Sequence, residues 1–121
     1  MKNNYLKVLL FLFFADVSHA ENFDISAKNI SIDKKNEITI LKNDVVIKDK
    51  NGNIIKSELA NYNKKKEIIS SKGKTFITTS EGYIVETEDL VYDNLKGLSS
   101  SNKRTIIKDQ ENNLIYLNNF E

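Results

Sequence analysis

Residues 55–63 read IKSELANYN, residues 64–66 read KKK, and residues 67–69 read EII. Apolar or small residues alternate with polar ones along the first segment, as in a β-strand with one buried face. The lysine run is short and polar, as is typical of a tight turn, and the apolar residues then resume. The stretch therefore predicts a β-hairpin.

The same arrangement recurs every thirty residues once residues 1–20 are set aside. One column is aliphatic, a second carries Asp or Asn, and a third carries isoleucine: Ile25, Ile55, Val85 and Ile115; Asp33, Asn63 and Asp93; Ile47, Ile77 and Ile107. Turn residues recur as well, at Asn51-Gly52, Glu81-Gly82 and Glu111-Asn112. A fixed period of this size indicates a stack of similar units, here one hairpin each.

The phase of the apolar alternation changes inside each repeat. It is odd through Ile25 and Ala27 but even through Ile30 and Ile32. The same slip separates Ser57 from Ala60 and Thr87 from Leu90. A slip that recurs at one position of the repeat predicts a β-bulge or a corner in the strand.

The first twenty residues have the organisation of a secretory signal peptide. Lys2 and Lys7 precede an apolar run at 8–15, and residues 18–20, SHA, have small residues at the first and third places. We therefore expect cleavage after Ala20 and a single exported domain at 21–121. The alternative is an uncleaved anchor, but the apolar run is well short of the roughly 20 residues that a spanning helix needs.

The composition of residues 21–121 narrows both the fold and the partners. Loss of Lys2, Lys7 and Asp16 from the 18 basic and 17 acidic residues leaves sixteen of each, interspersed along the chain. Nucleic acid is therefore not an expected partner. The chain has no cysteine and no proline, so its stability must come from ladder hydrogen bonds and an apolar interior, and every strand can pair along its whole length. No segment has the 3.6-residue period of a helix. We expect an all-β domain.

Few residue types for catalysis remain. Without histidine or cysteine in residues 21–121 there is no imidazole base, no thiol nucleophile and no usual metal-ligand set beyond oxygen, so we expect no catalytic residue, no metal and no cofactor. The cluster Glu86, Glu88 and Asp89 raises the question of paired acid/base work, as in glycosidases. The favoured alternative is the solvated face of a strand. The lysines at 64–66 either bind a phosphate or an anionic lipid head, or are solvated turn residues.

The alternation predicts one apolar face, which we expect to be the inner one. Its members are Ile38, Ile40, Ile47, Ile55, Tyr62, Ile68, Ile77, Val85, Tyr92, Leu98 and Ile107. Small or weakly polar residues share these rows: Ala27, Ser57, Ser70, Thr75, Thr87, Ser100 and Thr105. The interior is therefore either an ordinary core or a groove that its own side chains do not fill.

Three segments together carry a family resemblance: SELANYN at 57–63, KGKTFI at 72–77 and DLVYD at 89–93. In an exported, cysteine-free chain with one hairpin per repeat, this pattern resembles the OstA-like domain, or LptA family, of lipopolysaccharide transport. The family's glycine before a valine-type strand is matched by Gly73, while the equivalent places at Asn43-Asp44 and at Lys103-Arg104 lack it. We expect those corners to be less sharp.

The resemblance implies a β-jellyroll, or V-shaped β-taco, whose two facing sheets enclose an apolar groove. It implies no enzymatic activity: the groove would hold the acyl chains of lipopolysaccharide, or of its lipid A part, in the periplasm of a Gram-negative bacterium during delivery to the outer membrane. The residues expected to contact the acyl chains are Ile38, Ile47, Ile68, Ile77, Leu98 and Ile107. The expected partners are other proteins of the transport system, or a second copy, joined by edge strands.

Two members of the family are the nearest candidates: the free periplasmic bridge protein and the N-terminal periplasmic domain of the outer-membrane translocon. Residues 114–121 begin a fourth hairpin without finishing it, which favours the leading piece of the translocon domain. The short apolar run at 8–15 disfavours the inner-membrane clamp member. Outside the family, the alternative is a secreted β-solenoid with a structural or adhesive role and a packed interior; an exported carbohydrate-active enzyme comes last.

Overall fold

A computed structural model describes residues 23–121, so the predicted signal peptide lies outside the described residues. Within this part of the chain the fold is all-β, as predicted, and its ten strands form a single antiparallel sheet. The strands are β1 (Phe23–Ser26), β2 (Asn29–Asp33), β3 (Ile38–Asp49), β4 (Ile54–Asn63), β5 (Ile68–Thr78), β6 (Ile84–Glu88), β7 (Val91–Asp93), β8 (Leu98–Ser100), β9 (Thr105–Lys108) and β10 (Leu114–Leu117). The order across the sheet is β1-β3-β4-β5-β6-β9-β10, with β2 beside β3 and the pair β7-β8 beside β5.

The thirty-residue period appears in the sheet as a row of aliphatic side chains. Two of the predicted columns, the aliphatic one and the isoleucine one, alternate along this row. Each strand that carries a residue of one column pairs with a strand that carries a residue of the other. The residues that lie side by side are Ile25, Ile47, Ile55, Ile77, Val85, Ile107 and Ile115. We call this set the isoleucine row. It runs unbroken across seven strands.

The column of Asp and Asn residues caps one set of hairpin turns. Asp33 Oδ1 accepts hydrogen bonds from the backbone N–H groups of Lys35 and Asn36, at 3.1 and 3.2 Å. In the following repeats Asn63 and Asp93 accept in the same way from the residue three positions on. Short polar side chains that bond to their own turn favour this geometry, which explains why the column repeats.

A second set of turns is capped by a column that the sequence analysis did not single out. Asp49 Oδ1 accepts from the N–H groups of Asn51 and Asn53, both at 2.9 Å. Asp109 makes the equivalent bonds, and Thr79 Oγ1 accepts from Tyr83 N–H in the repeat between them. Each of these turns contains one residue with positive φ: Gly52, Gly82 and Asn112.

The predicted slip is confirmed as a corner in the long strands. The register shifts between Lys42 and Val45 on β3 and between Ser57 and Leu59 on β4. Backbone φ is positive at Asn43, Asp44, Gly73 and Asp89. Asparagine and aspartate tolerate the left-handed region better than other non-glycine residues do, so the corner at 43–44 keeps left-handed residues without a glycine. No positive φ is found at Lys103 or Arg104.

At this corner the sheet folds back on itself. Phe23 lies opposite Asp49, and Tyr62 lies opposite Thr39, ten positions earlier on β3. An extended strand would separate those positions by about 33 Å. The rings of Phe23 and Tyr62 nevertheless meet edge to face, with centroids 5.3 Å apart. The two halves of the sheet therefore face each other, an arrangement compatible with the expected β-taco.

We name the two halves by the residues on either side of the corner. Half-sheet A contains β2, residues 38–42, 59–63 and 68–72 of the three long strands, β7 and β8. Half-sheet B contains β1, residues 45–49, 54–57 and 74–78, β6, β9 and β10. The core lies between them.

The structure corrects part of the predicted inner face. Ile47, Ile55, Tyr62, Ile77, Val85, Tyr92 and Ile107 do belong to the core or pack against it. Ile38, Ile68 and Leu98 do not, because they share a row with Asn63 and Asp93 on the outer face. The inner residues beside them are Thr39, Ile69 and Ser99, which share a row with Tyr62 and Tyr92. Ile40 lies opposite Asn61 and is also on the outer face, and the inner residue beside it is Leu41.

The error has a geometric cause. Only the first strand of each repeat changes phase at the corner, since three positions separate Ser57 from Ala60, both buried. On the returning strand, four positions separate the buried residues Ser71 and Thr75, so the alternation continues in phase. The prediction carried the phase change into both strands.

Ile77 and Thr78 give a direct test of the facing of β5. We expect Ile77→Asp to destabilise the domain by about 3 kcal/mol or more, because it puts a carboxylate without a partner between Ile55 and Val85. Thr78→Asp, on the exposed face of the same strand, should change the free energy of unfolding by less than about 0.5 kcal/mol. Urea denaturation measures both, and equal losses would contradict this facing.

Candidate functional site

Among the described residues, an apolar groove of about 920 Å³ lies at the N-terminal end of the sheet. It lies between β1 of half-sheet B and β2 of half-sheet A. Its apolar lining consists of Phe23, Ile25, Ile30, Ile32, Leu41 and Tyr62. We call it the N-terminal groove.

The groove is open because β1 and β2 are edge strands of the described sheet. Ile30 and Ile32 lie opposite Leu41 and Thr39, so their side chains point to the inner face. They are nevertheless 54% and 66% exposed, while Leu41 is fully buried. Two isoleucines on an inner face with this much exposure form an apolar wall that a ligand can cover.

Charged side chains surround the groove. Lys34, Lys64 and Lys65 line it, together with the carboxylates of Asp24 and Glu37. Among residues 23–121 the salt bridges join Lys28 to Asp44 at 2.8 Å and Lys74 to Glu86 at 3.1 Å. The lysines of the groove therefore make no salt bridge with any described carboxylate.

Next to the corner the interior is packed. Leu41, Val45, Ala60, Ile69 and Leu90 are each at most 1% exposed. Four of the small polar residues that suggested an unfilled interior, Ser57, Thr75, Thr87 and Thr105, are buried at the corner, where the two half-sheets meet. The buried serines there are Ser71 and Ser101, each one residue after the predicted Ser70 and Ser100. This part of the interior leaves no room for an acyl chain.

Hydrogen bonds between hydroxyl groups hold the corner closed. The hydroxyls of Ser71 and Thr75 lie 2.6 Å apart, and those of Thr87 and Thr105 lie 2.9 Å apart. Ser71 Oγ also accepts from the N–H of Leu90 at 2.9 Å. Among the described residues, no buried side-chain nitrogen or oxygen lacks a partner. Burial of these groups therefore costs little, because each keeps a hydrogen bond.

Phe23 separates the N-terminal groove from a second cavity of about 260 Å³. Its ring packs edge to face on Tyr62 and on Tyr92, with centroids 5.3 and 6.0 Å apart. The Tyr92 hydroxyl donates to Asp49 Oδ2 at 3.0 Å. Because Phe23 and Asp49 belong to half-sheet B and both tyrosines to half-sheet A, these four residues join the rims of the sheet. We call them the closure cluster.

Tyr92 and Asp49, which share this hydrogen bond, both have shifted pKa values. Burial, with a smaller contribution from the Asp49 carboxylate, raises the pKa of Tyr92 to about 12. Burial also acts to raise the pKa of Asp49, but hydrogen bonds from Asn53, Tyr92 and Asn51 together outweigh it and hold that pKa below its usual value. The pair is thus a neutral phenol donating to a carboxylate over the neutral pH range.

The C-terminal end is built differently from the N-terminal end. Phe120 exchanges two backbone hydrogen bonds with Ser101, both at 3.0 Å, and its side chain packs partly buried against the core. It stands thirty residues after Leu90 and lines the smaller cavity. Strand β10 is an edge, with Leu114, Ile115 and Tyr116 about half exposed.

The six predicted ligand residues are not brought together. Ile47 and Ile77 line the smaller cavity, Ile107 packs against the core, and Ile38, Ile68 and Leu98 lie on the outer row. The N-terminal groove instead uses Ile25, Ile30, Ile32 and Leu41. A signal for it was present in the sequence: Ile30 and Ile32 are apolar inner-face residues in the first repeat, at one end of the stack.

The acidic candidates Glu86 and Asp89 have structural roles. Glu86 lies on the outer face and pairs with Lys74, and Asp89 Oδ1 accepts a hydrogen bond from Gly73 N–H at 2.8 Å in the corner. Within residues 23–121 no group of three or more His, Cys, Asp or Glu side chains could hold a metal ion.

Comparisons with known proteins give no relative. No family model matches the chain, and neither the curated proteins nor the solved structures contain a match. In the part of the chain that the structure describes, no helix has the length and apolar character to cross a bilayer. The resemblance to the OstA-like domain stays a prediction based on the sequence pattern.

Tyr92→Phe tests the closure cluster. It removes the hydrogen bond to Asp49 but keeps the ring against Phe23, so we expect a loss of about 1 kcal/mol at pH 7. The advantage of the wild type should shrink as pH rises from 10 towards 12, where Tyr92 ionises, because a raised pKa stabilises only below the ionisation range. It should also shrink as the pH falls below 3.8, the usual pKa of an aspartate, towards the lower pKa of Asp49, because the bond to an ionised carboxylate is lost as Asp49 is protonated.

Chemical denaturation of both proteins across pH gives the difference directly. Tyr83→Phe is the matched control, since Tyr83 is 39% exposed and lies outside the closure cluster. A pH-independent difference between wild type and Tyr92→Phe would contradict a bond to an ionised carboxylate.

Proposed function

We propose that this chain is a lipopolysaccharide-binding and transport domain of the periplasm, which shields acyl chains in the N-terminal groove. The single observation that carries the proposal is an apolar groove of about 920 Å³ between facing half-sheets, with inner-face isoleucines exposed at its wall. No reaction is required of such a domain. Its position in a Gram-negative periplasm follows from the predicted signal peptide and from the resemblance to the OstA-like family.

The driving force for binding is burial of apolar surface. Acyl chains that cover Ile30 and Ile32 remove that surface from water, which stabilises the complex by about 25 cal/mol per Å². The lysines around the groove are suited to the negatively charged groups of lipid A. The sugar head would stay outside.

The packed interior sets a condition on transport. A lipid in the N-terminal groove meets Phe23 and Leu41, so it cannot pass along the sheet while the half-sheets are closed. Passage would require the closure cluster to open, with loss of the Tyr92–Asp49 bond. The domain in its closed form therefore binds lipid at one end, and the next binding surface comes from a partner.

A secreted β-solenoid with a structural or adhesive role is the second candidate. The packed centre favours it, since residues such as Leu90 and Thr75 are fully buried by the domain's own atoms. Mass spectrometry of lipid extracts from the purified domain separates the two functions. Lipid recovered from the N-terminal groove supports the transport domain, and its absence from protein made in lipopolysaccharide-producing cells supports the solenoid.

Neighbouring residues on β2 test the groove. Ile32 faces the groove and Ser31 faces away, yet both are exposed on the same edge strand. With a photo-crosslinking residue at each position in turn, we expect lipid adducts at 32 and few at 31 in cells that make lipopolysaccharide. Equal adducts at both positions, or none at 32, would contradict the groove assignment.

The exposed edge at β10 tests association with a partner of the transport system or a second copy. An unpaired strand invites β-augmentation, and proline removes a ladder donor. Of Ile115→Pro and Tyr116→Pro, at least one should block association while circular dichroism shows an intact fold. Light scattering at high concentration and partner retention are the readouts, and a wild type that is monomeric and retains no partner would contradict this mode of assembly.

A further inference from the structure

Two hairpin turns bring three lysines to the opening of the N-terminal groove. Lys34 belongs to the turn between β2 and β3, and Lys64 and Lys65 to the turn between β4 and β5. Because Ile38 pairs with Asn63, the two turns are neighbours at one edge of half-sheet A. The lysines thus lie next to the apolar wall formed by Ile30 and Ile32, and all of these residues line one cavity.

The local structure leaves these lysines available for a ligand. The nearby carboxylate of Asp33 accepts hydrogen bonds from the backbone of Lys35 and from both the backbone and the side chain of Asn36. It is therefore occupied by its own turn. Asp24 and Glu37 also line the groove, so three cations stand against two anions there, and none of the three lysines makes a salt bridge with a described residue.

Resting on the proposed function, we propose that the N-terminal groove selects an amphiphile with a phosphate-type anionic head. The head is held by Lys34, Lys64 and Lys65, and the chain lies against Ile30, Ile32 and Leu41. Lysine binds phosphate as a point charge, and an apolar wall beside it excludes ligands that lack a chain. At about 920 Å³ the groove is at the upper end of the roughly 300–1,000 Å³ of small-ligand sites, so it holds one such molecule, or one part of a larger lipid, at a time.

The test compares two ligands with the same chain, mono-oleoylglycerol and its phosphate, lysophosphatidic acid, each titrated below its aggregation limit into the folded domain. Intrinsic tyrosine fluorescence and calorimetry report binding. We expect the phosphate to bind about tenfold more tightly at low salt, as two or three exposed ion pairs would give. High salt should remove the preference.

Charge reversal at the groove lysines tests where the phosphate head of the ligand binds. The double variant Lys64→Glu/Lys65→Glu should lose the preference while keeping the affinity for mono-oleoylglycerol. The control Lys66→Glu/Lys96→Glu makes the same change of net charge at turn lysines that do not line the groove, and it should keep the preference. Inorganic phosphate alone should compete only weakly.

Each contrary result has a separate meaning. Equal affinity of the wild type for both ligands, or loss of the preference in the control, overturns selection by these lysines and leaves the lipid-binding function standing. Strong competition by inorganic phosphate overturns the amphiphile in favour of a free anion. No binding of either ligand overturns this inference and the proposed groove together.

Discussion

The fold depends on a bend in long strands. β3, β4 and β5 each pass through both half-sheets, and a flat sheet built from them would leave its apolar face in water. The left-handed residues at 43–44, 73 and 89 turn the chain, so the isoleucine row of half-sheet B can pack towards Leu41 and Ile69 of half-sheet A and towards Leu90, which directly precedes β7. Burial of one face by the other half of the same sheet replaces the second layer that a domain normally needs.

The chemistry of the corner follows from how closely the two halves approach there. Larger side chains would hold the backbones apart, and small apolar ones would leave backbone groups without partners. Serine and threonine satisfy both requirements, since Ser71 bonds to Thr75 and also accepts from Leu90 N–H. The buried serine and threonine side chains therefore make this part of the interior polar and also hold the corner closed.

The ends of the stack carry the features that point to function. In the middle, each inner side chain has a neighbour on either side, and the core beside the corner is filled. At the N-terminal end, Ile30 and Ile32 have a neighbour on one side only among the described residues, and an open groove results. Asp49 connects this region to the turns, because one carboxylate oxygen caps the turn at 51–53 while the other accepts from Tyr92 across the rim. A local turn residue is thereby part of the closure between half-sheets.

The sequence by itself determined the strands, the thirty-residue repeat, the capped turns at Asp33, Asn63 and Asp93, and the position of the corner. These features depend on local alternation and on short-range hydrogen bonds, which the sequence displays directly. The facing of Ile38, Ile68 and Leu98 was decided only by the tertiary structure, because the number of residues that a bend uses depends on two paired strands together. The location of the groove was likewise a tertiary outcome. It depends on which inner side chains lack a neighbouring strand and on where Phe23 meets Tyr62 and Tyr92, contacts between residues far apart in the chain.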